Sequence, residues 1–193
     1  MSDFEFFFTL FGLVLGLSVA EVIAGVARLV EERRAVRVGV LTPLLALFLL
    51  LDLAAFWLYA WQQYRDAEVT YLALVIGIVI SGFYYVAASV VFPKSLADWS
   101  DLDDHYLKRR RFILGVITLA GVLLYDVGTL LLAQDGFAVW KASWLDISVS
   151  WTAFLYYACL IAIWFSRRRW VNAVALVLII ARYLLLVLQG AWS

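Results

Sequence analysis

The sequence predicts an all-α polytopic integral membrane protein, a compact bundle of six transmembrane helices with both termini on the non-cytoplasmic side. Composition is the first observation behind this. Of the 193 residues 66% are apolar and 16% charged, a balance outside the soluble range and typical of a surface that faces lipid. Span length is the second. A helix needs about twenty mainly apolar residues to cross roughly 30 Å of hydrocarbon. Six runs reach that length, over residues 4–29, 39–61, 69–92, 112–133, 145–165 and 170–190.

Charge placement is the third. The first, third and fifth loops hold Arg28, Arg33, Arg34 and Arg37, then Lys94, Lys108, Arg109, Arg110 and Arg111, then Arg167, Arg168 and Arg169. That makes twelve basic residues, against Arg65 and Lys141 in the second and fourth loops. Lys and Arg in short loops are retained in the cytoplasm, so the odd loops are expected inside, in a multi-pass protein of the inner (cytoplasmic) membrane. Trp57, Trp61, Tyr64, Trp140, Trp144 and Trp192 collect at the outer boundary and Trp99, Trp164 and Trp170 at the inner one, as aromatic belts do. With only two prolines and no long polar tract, residues 1–193 read as a single transmembrane domain.

Span one opens on Met1-Ser2-Asp3-Phe4-Glu5, acidic where a secretory signal is basic, and reads as a retained span. Gly12, Gly16, Ala20 and Ala24 recur at fourfold spacing, as do Ala73, Gly77 and Ser81 in span three. Such stripes let helix backbones approach, first within the bundle and otherwise between copies in a homo-oligomer. Residues seven apart share a helical face. Ser18, Glu21, Gly25 and Arg28 therefore form a polar face toward the cytoplasm, while Asp52, Tyr59 and Gln63 on span two, and Arg182 and Gln189 on span six, lead outward. On span four Asp126 has Gly115, Leu119, Thr129 and Ala133 near its face. Spans one to three and four to six would cross in opposite senses, which allows a 3+3 inverted repeat. Only two glycines before an acid, Gly12 and Gly16 before Glu21 against Gly115 and Gly121 before Asp126, match between the halves.

Between spans three and four, Asp98, Asp101, Asp103, Asp104 and the single histidine, His105, invite a divalent-metal reading. A helical lead into span four explains the same residues. Ser100 is the expected N-cap with Asp103 in the first turn, Asp101 pairs with His105 and Asp104 with Lys108 at fourfold spacing, and the basic run meets phospholipid headgroups.

Asp52, Asp126, Arg182 and Glu21 fall inside the spans. Each costs about 2.5–3.5 kcal/mol at a helix centre, so each is expected to turn inward. At 1.5 Å per residue the first three lie roughly 20 Å from the inner boundary and Glu21 roughly 12 Å. Asp52, Asp126 and Arg182 are thus expected to meet, either as a buried ion pair that fixes helix register or as a proton or cation pathway lined by Tyr59, Gln63, Gln189 and Ser18. The functional expectation is a small transporter or channel-like protein that moves protons, a small cation or a small solute. The competing expectation is a membrane scaffold or accessory subunit that docks a partner membrane protein. An enzyme acting on lipid would need the Asp98 to His105 segment as a metal site. Zero net charge gives no argument for nucleic acid. Histidine-free spans and the lone Cys159 offer no haem or cluster ligands, and no cofactor is expected.

Overall fold

The structure, a computed structural model, describes residues 3–32, 36–65, 70–96, 98–132, 135–145 and 147–188. Arg33, Arg34, Gln189 and Trp192 lie outside the described residues. The helices are α1 (Asp3–Glu31), α2 (Leu41–Tyr64), α3 (Tyr71–Val91) and α4 (Leu102–Val122), then a π-helical turn (Leu123–Gly128), α5 (Thr129–Leu132), α6 (Gly136–Leu145), α7 (Ile147–Phe165) and α8 (Arg169–Leu188). No strand occurs among the described residues. Among the described residues five helices are long and apolar enough to cross a membrane: Phe8–Glu31, Leu41–Tyr64, Tyr71–Val91, Leu102–Leu132 and Arg169–Leu188. The helix α7 is apolar over the shorter stretch Trp151–Phe165. The chain is an all-helical bundle of the multi-pass membrane type.

Helix α2 is largely apolar, leaves one face exposed at Leu47, Leu58 and Trp61, and packs its other faces against α1, α3, α4 and α8. Its Phe48, Leu49 and Phe56 are fully buried, with Ile80 and Tyr84 of α3, Ile113 and Ile117 of α4, and Leu176 and Ile179 of α8 around them. The Ala73, Gly77 and Ser81 stripe of α3 is buried. The α1 stripe behaves differently from the expected internal contact. Gly12 faces Trp57, whereas Gly16, Ala20 and Ala24 are exposed, and nothing lies within 4 Å of a Cβ built at Gly16. In the first half of the chain α1 lies chiefly along α3, and in the second α7 lies chiefly along α8. The two halves do not share one packing pattern.

At one end of the bundle the loops before α2 and α4 are tied together. Arg37 N–H donates to Ser100 O (3.2 Å) and Leu102 N–H to Arg37 O (3.1 Å). Helix α2 has no side-chain cap of its own, and Asp103 supplies one from the other loop, accepting from Leu41 N–H at 2.9 Å. Gly39 is required beside it, because a Cβ there would overlap the Asp103 carboxyl. The N-cap of α4 is Asp101, which accepts from Asp103 N–H (2.8 Å), and not the expected Ser100. The expected fourfold pairs are replaced as well. Arg169 of α8 reaches Asp101 (2.7 Å), Asp104 (2.8 Å) and Asp103 (3.7 Å). His105 Nε2 lies 3.0 Å from Val90 O, and Lys108 sits 4.6 Å above the Trp99 ring. A guanidinium that bridges two carboxylates, one from each Nη, competes better for them than an imidazole or an ammonium on the same helix. Burial works against a charge on Asp101, yet the Arg169 guanidinium and the Asp103 N–H hold its carboxyl below the ordinary carboxylate range.

The basic run at the start of α4 does more than mark orientation. Arg110 donates to Ile163 O (3.0 Å) and Ser166 O (3.2 Å), and Arg111 to Trp164 O (3.0 Å). These are carbonyls at the C-terminal end of α7 that no helical N–H reaches, and cations are favoured there. Asn172, held by the Tyr106 hydroxyl at 3.0 Å, donates to Ser166 O and Arg168 O and completes the cap.

The loop expected between spans four and five is helical instead. After α5 the chain turns at Asp135, the described non-glycine residue with positive φ (51°), a conformation that aspartate tolerates better than most side chains. It returns as α6, packed on α5 and α7.

Candidate functional site

The π-turn sets the geometry of the site. Widening one turn of a helix leaves a backbone carbonyl without its usual donor, and here the Tyr64 hydroxyl donates to Leu124 O at 2.8 Å. Gly128 leaves room for that hydroxyl, since a Cβ there would come within 2.7 Å of it. Tyr125 and Asp126 lie in this turn and both line a cavity of about 250 Å³ between α2, α3, α4, α6, α7 and α8. At ~30 Å³ per water that space holds on the order of eight waters. Its lining passes from buried Asp52 and Tyr84 to exposed Ser143 and Trp144, so it runs from the bundle interior to the surface at α6.

Asp52, Tyr59, Asp126 and Arg182 all line this cavity. The expected ion pair is not there: among the described residues Arg182 forms a salt bridge with neither aspartate. Asp52, 4% exposed, is held by two hydroxyls, Tyr84 Oη–H donating to Oδ2 at 2.7 Å and Tyr183 Oη–H donating to Oδ1. One carboxyl thereby joins α2, α3 and α8. Asp126 Oδ1 accepts from the indole N–H of Trp140 (2.9 Å) and of Trp144 (3.4 Å). The Arg182 guanidinium carbon lies 5.6 Å from the Tyr156 ring centroid and 5.4 Å from that of Tyr183, within cation–π range. Its Nε is buried without a hydrogen-bond partner.

Tyr59 is committed to Thr129, hydroxyl to hydroxyl at 2.8 Å, and its ring lies 4.4 Å from that of Tyr125. The remaining sequence-derived residues are elsewhere. Glu21 faces Arg28 at 3.9 Å and both are half-exposed. Ser18 is buried but bonds back to Val14 O within its own helix (3.4 Å). Gln63 is half-buried and not part of the cavity lining, and Gln189 lies outside the described residues.

Sequence reasoning missed the aromatic wall. Tyr84, Tyr125, Tyr156, Tyr157 and Tyr183 line the cavity with Trp140 and Trp144. By position the two tryptophans read as part of the outer aromatic belt, yet their fourfold spacing, which places both indoles on one helical face, is a readable sign of a shared partner. Nothing in the sequence marks the π-turn that brings Asp126 to them. The Asp98 to His105 segment, considered as a metal site, has Asp101, Asp103 and Asp104 turned to Arg169 and to backbone N–H groups.

No family model, no curated protein and no solved structure matches this chain. What bears on its function is the chemistry of the site itself.

Proposed function

We propose that the chain is a small polytopic transporter or channel-like protein of the cytoplasmic membrane, which moves protons, a small cation or a small solute past Asp52, Asp126 and Arg182. In this reading there are six spans, the odd loops face the cytoplasm and both termini lie on the other side. The observation that carries it is one cavity, walled in part by helices of spanning length, that holds two carboxyl groups and an incompletely bonded guanidinium. Ionisable groups inside a membrane bundle are costly, and a water-accessible cavity with unsatisfied polar atoms is where substrate pathways concentrate them. The exposed Gly16, Ala20 and Ala24 face of α1 is the surface through which copies of the chain, or a partner membrane protein, would meet.

Flux into liposomes carrying the purified chain tests this, with a pH-sensitive dye for protons and labelled solutes for the rest. Asp126→Asn and Arg182→Gln are each expected to abolish the flux that the parent shows. Undiminished flux in both variants ends the assignment.

A second reading has an observation of its own. Asp52, bonded on both oxygens and joining three helices, is what a non-transporting scaffold or accessory subunit needs to fix its bundle. That reading expects no flux from the parent protein, and expects Asp52→Asn and Arg182→Leu to harm only folding and assembly.

A further inference from the structure

We infer that the cavity takes a small zwitterion, a molecule with a carboxylate and an ammonium group on a short apolar body. The inference rests on the cavity being a binding site, as proposed above, and adds the class of its ligand. Three features lead to it. Arg182 keeps a buried N–H without an acceptor, and a guanidinium is satisfied best by an oxyanion. Asp126 accepts both indole donors on Oδ1, so Oδ2 takes no part in those two bonds and offers a carboxylate oxygen to a cation. Between them the walls are tyrosine and tryptophan rings, which favour an ammonium and an apolar body alike.

Simpler ligands meet opposition. A plain cation would enter beside the Arg182 charge, and a plain anion beside Asp126. A ligand with both charges answers each group with its complement. Asp52 is not required to answer either, since two tyrosines already occupy it.

The test compares ligands that share a body and differ in charge. L-Leucine, isopentylamine and 4-methylpentanoate form one set, and L-phenylalanine, 2-phenylethylamine and 3-phenylpropanoate another. Binding to the purified full chain in detergent is read by titration calorimetry and by intrinsic tryptophan fluorescence, with Trp140 and Trp144 at the cavity. In at least one set the amino acid is expected to bind roughly tenfold or more tighter than its amine and its acid, the factor that one charge-assisted hydrogen bond supplies. Arg182→Gln is expected to bring the amino acid down to the level of the amine, and Asp126→Asn down to the level of the acid. An amine or an acid that equals its amino acid in both sets overturns the inference, and so does failure of both amino acids to bind at millimolar concentration. These outcomes come from the parent protein and do not depend on the variants folding. Amino-acid binding without flux leaves this inference standing and removes transport, whereas proton flux with no zwitterion preference does the reverse.

Discussion

Asp52 and Arg182 show how differently two buried charges can be accommodated. The carboxyl has a hydroxyl donor on each oxygen, while the guanidinium rests on aromatic rings and keeps one N–H unused. A buried acceptor that loses its donor costs about 1–3 kcal/mol. Tyr84→Phe is therefore expected to destabilise the protein by about that amount, with a lower midpoint of thermal unfolding in detergent. Tyr85→Phe, next to it in sequence on an exposed position of α3, serves as the control and is expected to leave the midpoint unchanged. Equal midpoints for Tyr84→Phe and the parent would show that Tyr84 is not a required partner of Asp52. Helical rise alone put Asp52, Asp126 and Arg182 at one depth, and they do line one cavity. What each one bonds was not readable, because tyrosine and tryptophan in an apolar run look like packing until a fold turns their polar atoms toward a carboxyl.

Among the elements, the longest departure from expectation is the stretch from Leu102 to Leu132. Its 31 residues rise roughly 46 Å at 1.5 Å each, well beyond the hydrocarbon thickness. The excess is the first turns, where Asp101, Asp103 and Asp104 meet Arg169. Sequence placed the helical lead here but chose partners on the same helix, since fourfold spacing is the only pairing that a single segment displays. The cluster has a definite pH dependence. The Asp101 carboxyl is held below its ordinary value, so its contribution is fully present above that value and is lost as pH falls through the folded one. The thermal midpoint is expected to hold near about pH 6 and to fall below about pH 4. Arg169→Gln is expected to lower the midpoint at neutral pH and to flatten the acid fall. A variant that keeps the parent's full acid dependence would show that other carboxyls govern it. The π-turn and α6 were not legible at all. A single widened turn has no composition of its own, and the ten residues of α6 lie where apolar length predicts only the loop between spans four and five.

For the molecule as a whole, the multi-pass helical character followed directly from apolar length, because lipid permits few other solutions for a backbone. Orientation rests on loop charge and is open to direct measurement. In a Cys159→Ser background, Arg65→Cys and Lys141→Cys are expected to react with a membrane-impermeant maleimide in intact cells, and Lys94→Cys and Arg167→Cys only after permeabilisation. The opposite pattern reverses the orientation, and disagreement within either pair overturns the count of six spans. Packing between the spans was the least legible, since apolar runs that all face lipid or one another carry no address for their neighbours. One asymmetry of the bundle has a dynamic consequence. The Arg169 end is stitched by crossed loops, an intersegment cap and a guanidinium shared among three carboxylates, whereas α6 at the Trp140 end is a short, mostly exposed helix whose indoles bond to Asp126. Thermal fluctuation should concentrate where cross-links are sparse, so amide protons in α6 should exchange with deuterium well before those at the start of α4. The bundle would then breathe from one pole, like a bag drawn tight at its base.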